Sequence, residues 1–551
     1  MQIYSDKVFK NPITIIKAFD SDSFVQAFEK IESLKENYYL VGYIRYEAKD
    51  VFLGKQITSK TPLLYFEVFE NFEKFEPKQN PKEVFLFPKP DITFDDYKKG
   101  FDTIKYEISQ GNTYEVNYTF DFSIDTEYSA EDIYHYFLQI QKTPYNAFLS
   151  NDYETILSFS PELFFRKNGR HVLTKPMKGT ILRGKTDSED KQNIEFLHND
   201  EKNRAENVMI VDLLRNDLGR ISKTGSVKVP KLFEIETHKT LHQMTSEVES
   251  DLRDDISLYQ LFESIFPCGS ITGAPKISTM NIIENVEVGK RDVYCGAIGF
   301  IHGAFCEFSV PIRILQKTKD SSVYKYRAGG AIVWDSEVKD EWDEAFVKTS
   351  FLWQNTKDWK LIETLNVKNG VAEFFEEHIS RMHNSANILG FEFNSEIHNL
   401  RFGKDGIYRI ELSKNGDISL SYRENKPSIS SKIVISSQRV NSTDVFLKNK
   451  TTYRPYYAES LEKIRQGKIY DEIFFNEKGE LTEGSRSNVV LELDGQLYTP
   501  PLSCGLLNGI YRQFLLDNGK CLEKVLTKTD LANASKIYCV NSVRGAREVF
   551  L

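Results

Sequence analysis

Paired thiols are missing from this chain. Its six cysteines, at 268, 295, 306, 504, 521 and 539, form no Cys-x-x-Cys pair, so neither a disulfide framework nor a thiolate metal ribbon is expected and a reducing cytosol fits. Long apolar runs are missing too. Nothing approaches the roughly 18 residues of a membrane span, and Met1–Lys7 opens no apolar signal segment. Excess positive charge is absent: 71 Lys and Arg stand against 80 Asp and Glu, a net charge of −9. General attraction to nucleic acid or to an anionic membrane is excluded, and an anionic ligand would need locally clustered cations. The expectation is a cytoplasmic enzyme with no nucleic-acid or membrane partner.

What is present is length and ordinary globular composition. At 551 residues, 40% hydrophobic and 27% charged, the chain calls for two or three domains. Ser23–Leu34 reads as a helix and Tyr39–Tyr46 as a strand. Thr93, with Asp96 three residues on, caps a helix whose stripe is Tyr97, Phe101, Ile104 and Ile108. It ends at Gly111, and the chain returns as a strand through Thr119. Ile256–Phe266 is a helix stopped by Pro267.

Lys178 draws the most attention. Proline and glycine flank it in Lys175-Pro176-Met177-Lys178-Gly179-Thr180, after a strand-like run from Arg170 to Thr174. That pattern predicts a tight, fixed turn presenting one amine. Such an amine becomes a nucleophile where burial or nearby cations lower its pKa from ~10.4. Alone, Pro-x-Lys-Gly is more often a solvated turn. In the run from Asp200 to Arg220, Ala205, Val208, Met209 and Asp212 share one helical face, and Asn203, Glu206 and Ile210 another. Glu341, Glu344 and Lys348 recur at three- and four-residue spacing on one later helix.

Taken in order, these blocks resemble the chorismate-utilising enzymes, and within them the aminodeoxychorismate synthase branch, over residues 90–350. Ser160-Pro161-Glu162, the run containing Glu206, Thr272-Gly273-Ala274-Pro275-Lys276 and Gly329-Gly330-Ala331 carry the resemblance. Anthranilate synthases have alanine where Lys178 stands. The resemblance implies Lys178 as nucleophile, with Glu162 and His242 assisting. It implies magnesium on Glu206, Glu341 and Glu344, and chorismate contacts from Thr272, Lys276, Tyr294, Arg313, Gly329, Gly330 and Lys348. Tyr294 and Arg313 are expected on strands. Glu115 departs from the pattern: relatives usually carry glutamine there, and the water-adding synthases a lysine.

A second resemblance covers 361–551, to class IV pyridoxal-phosphate enzymes of the aminodeoxychorismate lyase type. Leu361-Ile362-Glu363-Thr364, His378-x-x-Arg381, Lys450 with Arg454 four residues on, and Thr482-Glu483-Gly484-Ser485-Arg486-Ser487-Asn488 carry it. It implies Lys450 as the cofactor lysine, Glu483 at the pyridine nitrogen and Arg381 at the phosphate. Asn508, Gly509, Ile510, Asn541 and Ser542 complete the cofactor set. The expected architecture is α/β (α+β): a two-sheet sandwich over 1–355, then a shortened class IV domain of two α/β subdomains over 356–551.

Together the two resemblances imply 4-aminobenzoate synthesis from chorismate and ammonia, with magnesium and pyridoxal phosphate as cofactors. No cysteine lies in a Gly-x-Cys-x-Gly elbow, which predicts a separate glutaminase subunit. Two alternatives remain for the whole: an anthranilate-type synthase fused to a transaminase-like domain, or to a non-catalytic regulatory one.

Overall fold

Helix caps set many of the boundaries. Thr93 accepts a hydrogen bond from the Asp96 amide and opens the helix Phe94–Ser109. Ser257 forms a capping box with Gln260 and opens Leu258–Ile265, satisfying amide groups that have no partner inside the helix. The computed structural model describes every residue except 142, 185, 238–240, 354–358, 427–429 and 443. It divides into two compact units, Met1–Asn355 and Thr356–Leu551. The 355/356 junction read from the sequence lies outside the described residues.

The first unit holds two ten-stranded sheets. In one, Glu115–Asp125 runs antiparallel to Val323–Ile332 from Val323↔Asp125 to Ile332↔Val116. In the other, Leu241–Asp251 pairs with His171–Lys175, Met177–Leu182 and Lys228–Thr237. One apolar core joins both sheets to the helices. It contains Tyr4 and Ile156 from the first sheet, Val41 and Phe308 from the second, and Phe24, Phe28 and Phe262 from helices. The helix Ser21–Leu34 buries Phe24, Ala27, Phe28 and Ile31, the three- and four-residue repeat that turns one face inward.

The second unit has a four-stranded and an eight-stranded sheet. Leu361–Lys368 pairs with Gly406–Leu412 in the smaller sheet, and the helix Phe375–Leu389 packs against it. The larger sheet joins Asp471–Asn476, Leu481–Gly484 and Asn488–Leu493 around a core that includes Ile473, Leu481 and Val489.

Two local expectations are corrected, for Lys178 and for Tyr294 with Arg313. Lys178 lies in the strand Met177–Leu182 rather than a turn. The pairing shifts register between Met177 and Thr180, and Gly179 takes φ +84°, so the glycine serves a bulge. The helix Glu201–Gly219 buries Asn207, Ile210, Val211, Leu214 and Leu218, while Ala205, Val208 and Asp212 are exposed. Finally, Tyr294 and Arg313 lie outside the strands Ala297–His302, Phe305–Ser309 and Ile314–Thr318. Arg313 has φ +54°.

Candidate functional sites

In the first unit three carboxylates, Glu115, Glu206 and Glu162, act on one amine. The bulged strand carries Lys178 toward the neighbouring sheet, where its Nζ donates to Glu115 Oε1 at 2.5 Å. Glu115 is fully buried, and its Oε2 has no hydrogen-bond partner among the described residues. Burial pulls the Lys178 pKa down, but Glu115, Glu206 and Glu162 outweigh it, and the net displacement is upward. The lowered pKa that would free this amine as a nucleophile is therefore not produced by its partners in the protein alone. Glu162 accepts from Ser270 Oγ at 2.6 Å. Burial raises its carboxyl to about 7 against the pull of Ser270 and Lys178, so it can give or take a proton near neutrality.

The next carboxylates continue the cluster. Burial raises the Glu206 pKa, with Lys178 opposing and with Glu115 and Glu344 adding repulsion. Glu341 accepts from Ser336 Oγ at 2.7 Å, and its buried Oε2 has no partner among the described residues. Gly330 makes room for these groups: a Cβ there would stand 2.5 Å from Glu341 Oε2 and 3.4 Å from Glu344 Oε1. Lys348 bridges Glu344 at 2.7 Å and donates to the Gly329 carbonyl at 2.7 Å. Among the described residues no three His, Cys, Asp or Glu side chains already form a metal cage.

The second unit presents a cationic cavity of about 520 Å³ lined by Arg409, Arg423, Lys450, Arg454, Arg486 and Arg544, among others. Lys450 also faces an adjoining recess with Glu483, Asn488, Gly509 and Ile510. Desolvation lowers the Lys450 pKa to about 8, with Glu363 opposing and Arg381, Arg454 and Arg409 reinforcing the shift. Glu363 is the hub beneath it. Its carboxylate takes Arg381 Nε at 2.8 Å and Nη2 at 2.7 Å, His378 Nδ1 at 2.6 Å, and lies 3.6 Å from Lys450 Nζ. Burial raises Glu483 to about 7, against Arg454 and the Tyr457 hydroxyl, which donates at 3.0 Å. Asn488 Nδ2 reaches Glu483 at 3.2 Å and the Leu507 carbonyl at 2.9 Å. A Cβ on Gly509 would lie 1.9 Å from Asn488 Oδ1, so the glycine leaves room for that side chain where the helix Ile510–Asp517 begins.

Comparison with known proteins decides the family. Residues 2–354 match the family described as chorismate binding enzyme. The chain belongs to the chorismate-binding enzymes. Residues 360–550 match amino-transferase class IV, so the chain fuses the two. Over 260 residues it is 42% identical to an aminodeoxychorismate synthase of Streptomyces griseus, covering 46% of this chain and 35% of that protein. Over 277 residues it is 35% identical to aminodeoxychorismate synthase component 1 of Salmonella typhimurium, covering 50% of this chain and 60% of that one. The matches thus span between about a third and three-fifths of the relatives' own length. Among solved structures, anthranilate synthase component I of Streptococcus pneumoniae aligns with TM-score 0.56 and 25% identity, over 64% of this chain and 92% of that one.

Within this chorismate-binding frame several residues stand differently from their sequence-based expectation. Lys276 is tied to buried Asp217 at 2.5 Å and to the Ile265 carbonyl at 3.1 Å. It holds the loop instead of offering a free cation. The Thr272 hydroxyl is likewise engaged by the Cys268 and Gly269 carbonyls. His242 is buried, with Nδ1 2.9 Å from Thr237 Oγ1 and Nε2 2.9 Å from Asp190 Oδ1. Both its nitrogens are therefore engaged in structure. Arg313 by contrast has no carboxylate partner among the described residues and binds Gln141 at 2.8 Å, leaving its guanidinium charge uncompensated. Tyr294 is buried beside Cys295 and Arg291.

In the class IV unit, Arg381 is committed to Glu363 and to the Asn508 carbonyl, at 2.8 Å from Nη1. It lines the recess that also holds Lys450, Glu483 and Gly509. Asn508 bonds Gln513 and Arg512. Asn541 caps the amides of Val543 and Arg544, and Ser542 Oγ meets His378 Nε2 at 2.9 Å. Sequence reasoning named none of Glu363, His378, Tyr457, Asn488 or Arg486 as site residues. The Glu363-Thr364 strand and the His378-x-x-Arg381 spacing were the signals for the first two.

Proposed function

We propose that the chain makes 4-aminobenzoate in two steps: amination of chorismate to aminodeoxychorismate in the first unit, and elimination of pyruvate in the second. The observation that carries this reading is a lysine at each centre. Lys178 stands inside the carboxylate cluster of a chorismate-binding unit, and Lys450 has a pKa near 8 in a class IV unit.

In the first centre Lys178 Nζ adds to ring C2 as the C4 hydroxyl leaves, with Glu162 supplying the proton that makes it water. Ammonia then adds at C4 and Lys178 departs. Arg313 and Tyr294 suit a substrate carboxylate, a planar guanidinium being the better partner. The orphaned Glu341 oxygen and the mutually repelling carboxylates of Glu344 and Glu206 fit a hard cation. Magnesium there would neutralise the substrate's carboxylate, and ligands from substrate and water would complete its shell.

In the second centre the residues fit pyridoxal phosphate. Lys450 would carry it, Glu483 would face its ring nitrogen, and the start of Ile510–Asp517 with the Gly509 clearance would take its phosphate. When bound, the cofactor supplies an electron sink next to the substrate amine. Lys450 Nζ takes the proton from substrate C4, and its depressed pKa keeps it a usable base at mildly alkaline pH. Arg409, Arg423 and Arg486 surround the carboxylates of a dianionic substrate.

Nitrogen enters as free ammonia, and a separate glutaminase would be needed for glutamine. Among the described residues no helix is long and apolar enough to cross a membrane. The test is the ring position of the amine after turnover of chorismate and ammonium. A para amine supports the reading; an ortho amine returns the anthranilate alternative. Amino transfer to 2-oxoglutarate would mark the second unit as a transaminase.

A further inference from the structure

We infer that Glu115 is the proton acceptor that turns Lys178 into a nucleophile, the transfer running from Nζ directly to the glutamate carboxylate across their contact. This rests on the reading of Lys178 given above and assigns the activating group that reading leaves open.

Four observations converge on Glu115. It is wholly buried in the strand Glu115–Asp125, and Lys178 Nζ stands 2.5 Å from its Oε1. Asn117 Nδ2, at 3.2 Å, is the other donor to Oε1. Its Oε2 is buried with no donor at all among the described residues. The bare oxygen leaves an open acceptor position on the same carboxylate that already holds Lys178. The other carboxylates facing Lys178 are less suited. Glu206 and Glu162 act on it through their fields, Glu162 already has Ser270 on its carboxylate, and neither is hydrogen-bonded to the amine among the described residues.

In the resting site the pair is ionic, because Glu115, Glu206 and Glu162 together favour the ammonium. A ligand that seals the site changes the balance. Desolvation penalises two opposite charges more than the neutral amine and acid they become on exchanging one proton. The Nζ–H bond breaks, its electron pair remains on nitrogen as the attacking lone pair, and an O–H bond forms on Glu115. When Lys178 leaves the ring as a neutral amine, Glu115 returns the proton and the pair is restored. No proton is exchanged with solvent, so the amine becomes available well below its own pKa. A glutamine at this position could accept a hydrogen bond from Lys178 but could not take its proton.

The test compares the full chain with Glu115→Gln and Glu115→Asp, using chorismate and a fixed concentration of free ammonia between pH 6.5 and 9.5. The native protein should show little pH dependence attributable to Lys178. Glu115→Gln should lose about 10²-fold near pH 7 and recover about tenfold per pH unit as solvent deprotonates the amine; Glu115→Asp should partly restore the neutral rate. A uniform loss at every pH would mark Glu115 as structural, and an unchanged profile would mark it as a bystander; either overturns the inference. Site-specific acylation of Lys178, followed by peptide mass spectrometry in the absence of substrate, gives an activity-free readout. Its pH midpoint should fall in Glu115→Gln, and an unmoved midpoint refutes the pairing whatever the rates. A native chain that consumes no chorismate, but whose midpoint moves, would instead locate the failure in the functional reading, taking the base assignment down with it.

Discussion

Glu363 Oε2 lies 3.6 Å from Lys450 Nζ while the same carboxylate is held by both Arg381 and His378. One buried anion thus fixes the cationic floor of the class IV centre, and its pKa is driven well below the carboxylate range by that company.

Replacing it leaves the cations facing one another. Glu363→Gln should destabilise the second unit by about 3–5 kcal/mol, the cost of removing one member of a buried ion pair. It should also push the Lys450 pKa further down, since Glu363 is the group that raises it. Denaturant unfolding, together with the pH midpoint of Lys450 acylation, reads both effects. Unchanged stability would contradict the hub role.

Lys450 itself supplies a pH prediction. Its folded pKa of about 8 lies below the ordinary lysine value of 10.5, so the free amine appears through pH 8 rather than well above it. Capture of pyridoxal phosphate by the chain, followed as visible absorbance that borohydride fixes, should rise with an apparent midpoint near 8. The unfolded chain holds this proton up to a higher pH than the folded one, so the group's contribution to stability grows between about pH 8 and 10.5. A capture midpoint above 10 would contradict the burial argument.

Gly330 tests the carboxylate cluster without touching a charge. An added Cβ would stand 2.5 Å from Glu341 Oε2, closer than a normal contact, so Gly330→Ala must displace the carboxylates beside it. Chorismate amination should fall at least tenfold and need more magnesium, while cleavage of supplied aminodeoxychorismate is unchanged. Equal loss of both reactions would point to misfolding.

Much of the frame was legible because its signals are local. The Thr93 cap, the stop before Pro267 and the repeat of Glu341, Glu344 and Lys348 each need only a few neighbouring residues. What escaped was set by partners far away in sequence. Pro176 and Gly179 look like a turn until Leu241–Asp251 pairs beside them and absorbs the glycine as a bulge. Lys276 looks available until Asp217, 59 residues earlier, neutralises it. The sequence left the inward face of the Glu206 helix open, because Asn207 and Asp217 are buried there beside Ile210 and Leu214, and polar residues blur an apolar stripe. The contact between Glu115 and Lys178 joins two sheets, and no spacing along the chain announces it.

The central claim is that two independent lysine centres act in sequence, and Lys178→Ala and Lys450→Ala test it most directly. Each variant, purified as the full chain, is supplied with chorismate, ammonium, magnesium and pyridoxal phosphate, alone and then mixed with the other. The account predicts that Lys450→Ala accumulates aminodeoxychorismate, that Lys178→Ala yields nothing from chorismate yet converts supplied aminodeoxychorismate, and that the mixture restores 4-aminobenzoate. Substantial 4-aminobenzoate from either variant alone, or none from the mixture of two well-folded variants, would contradict it.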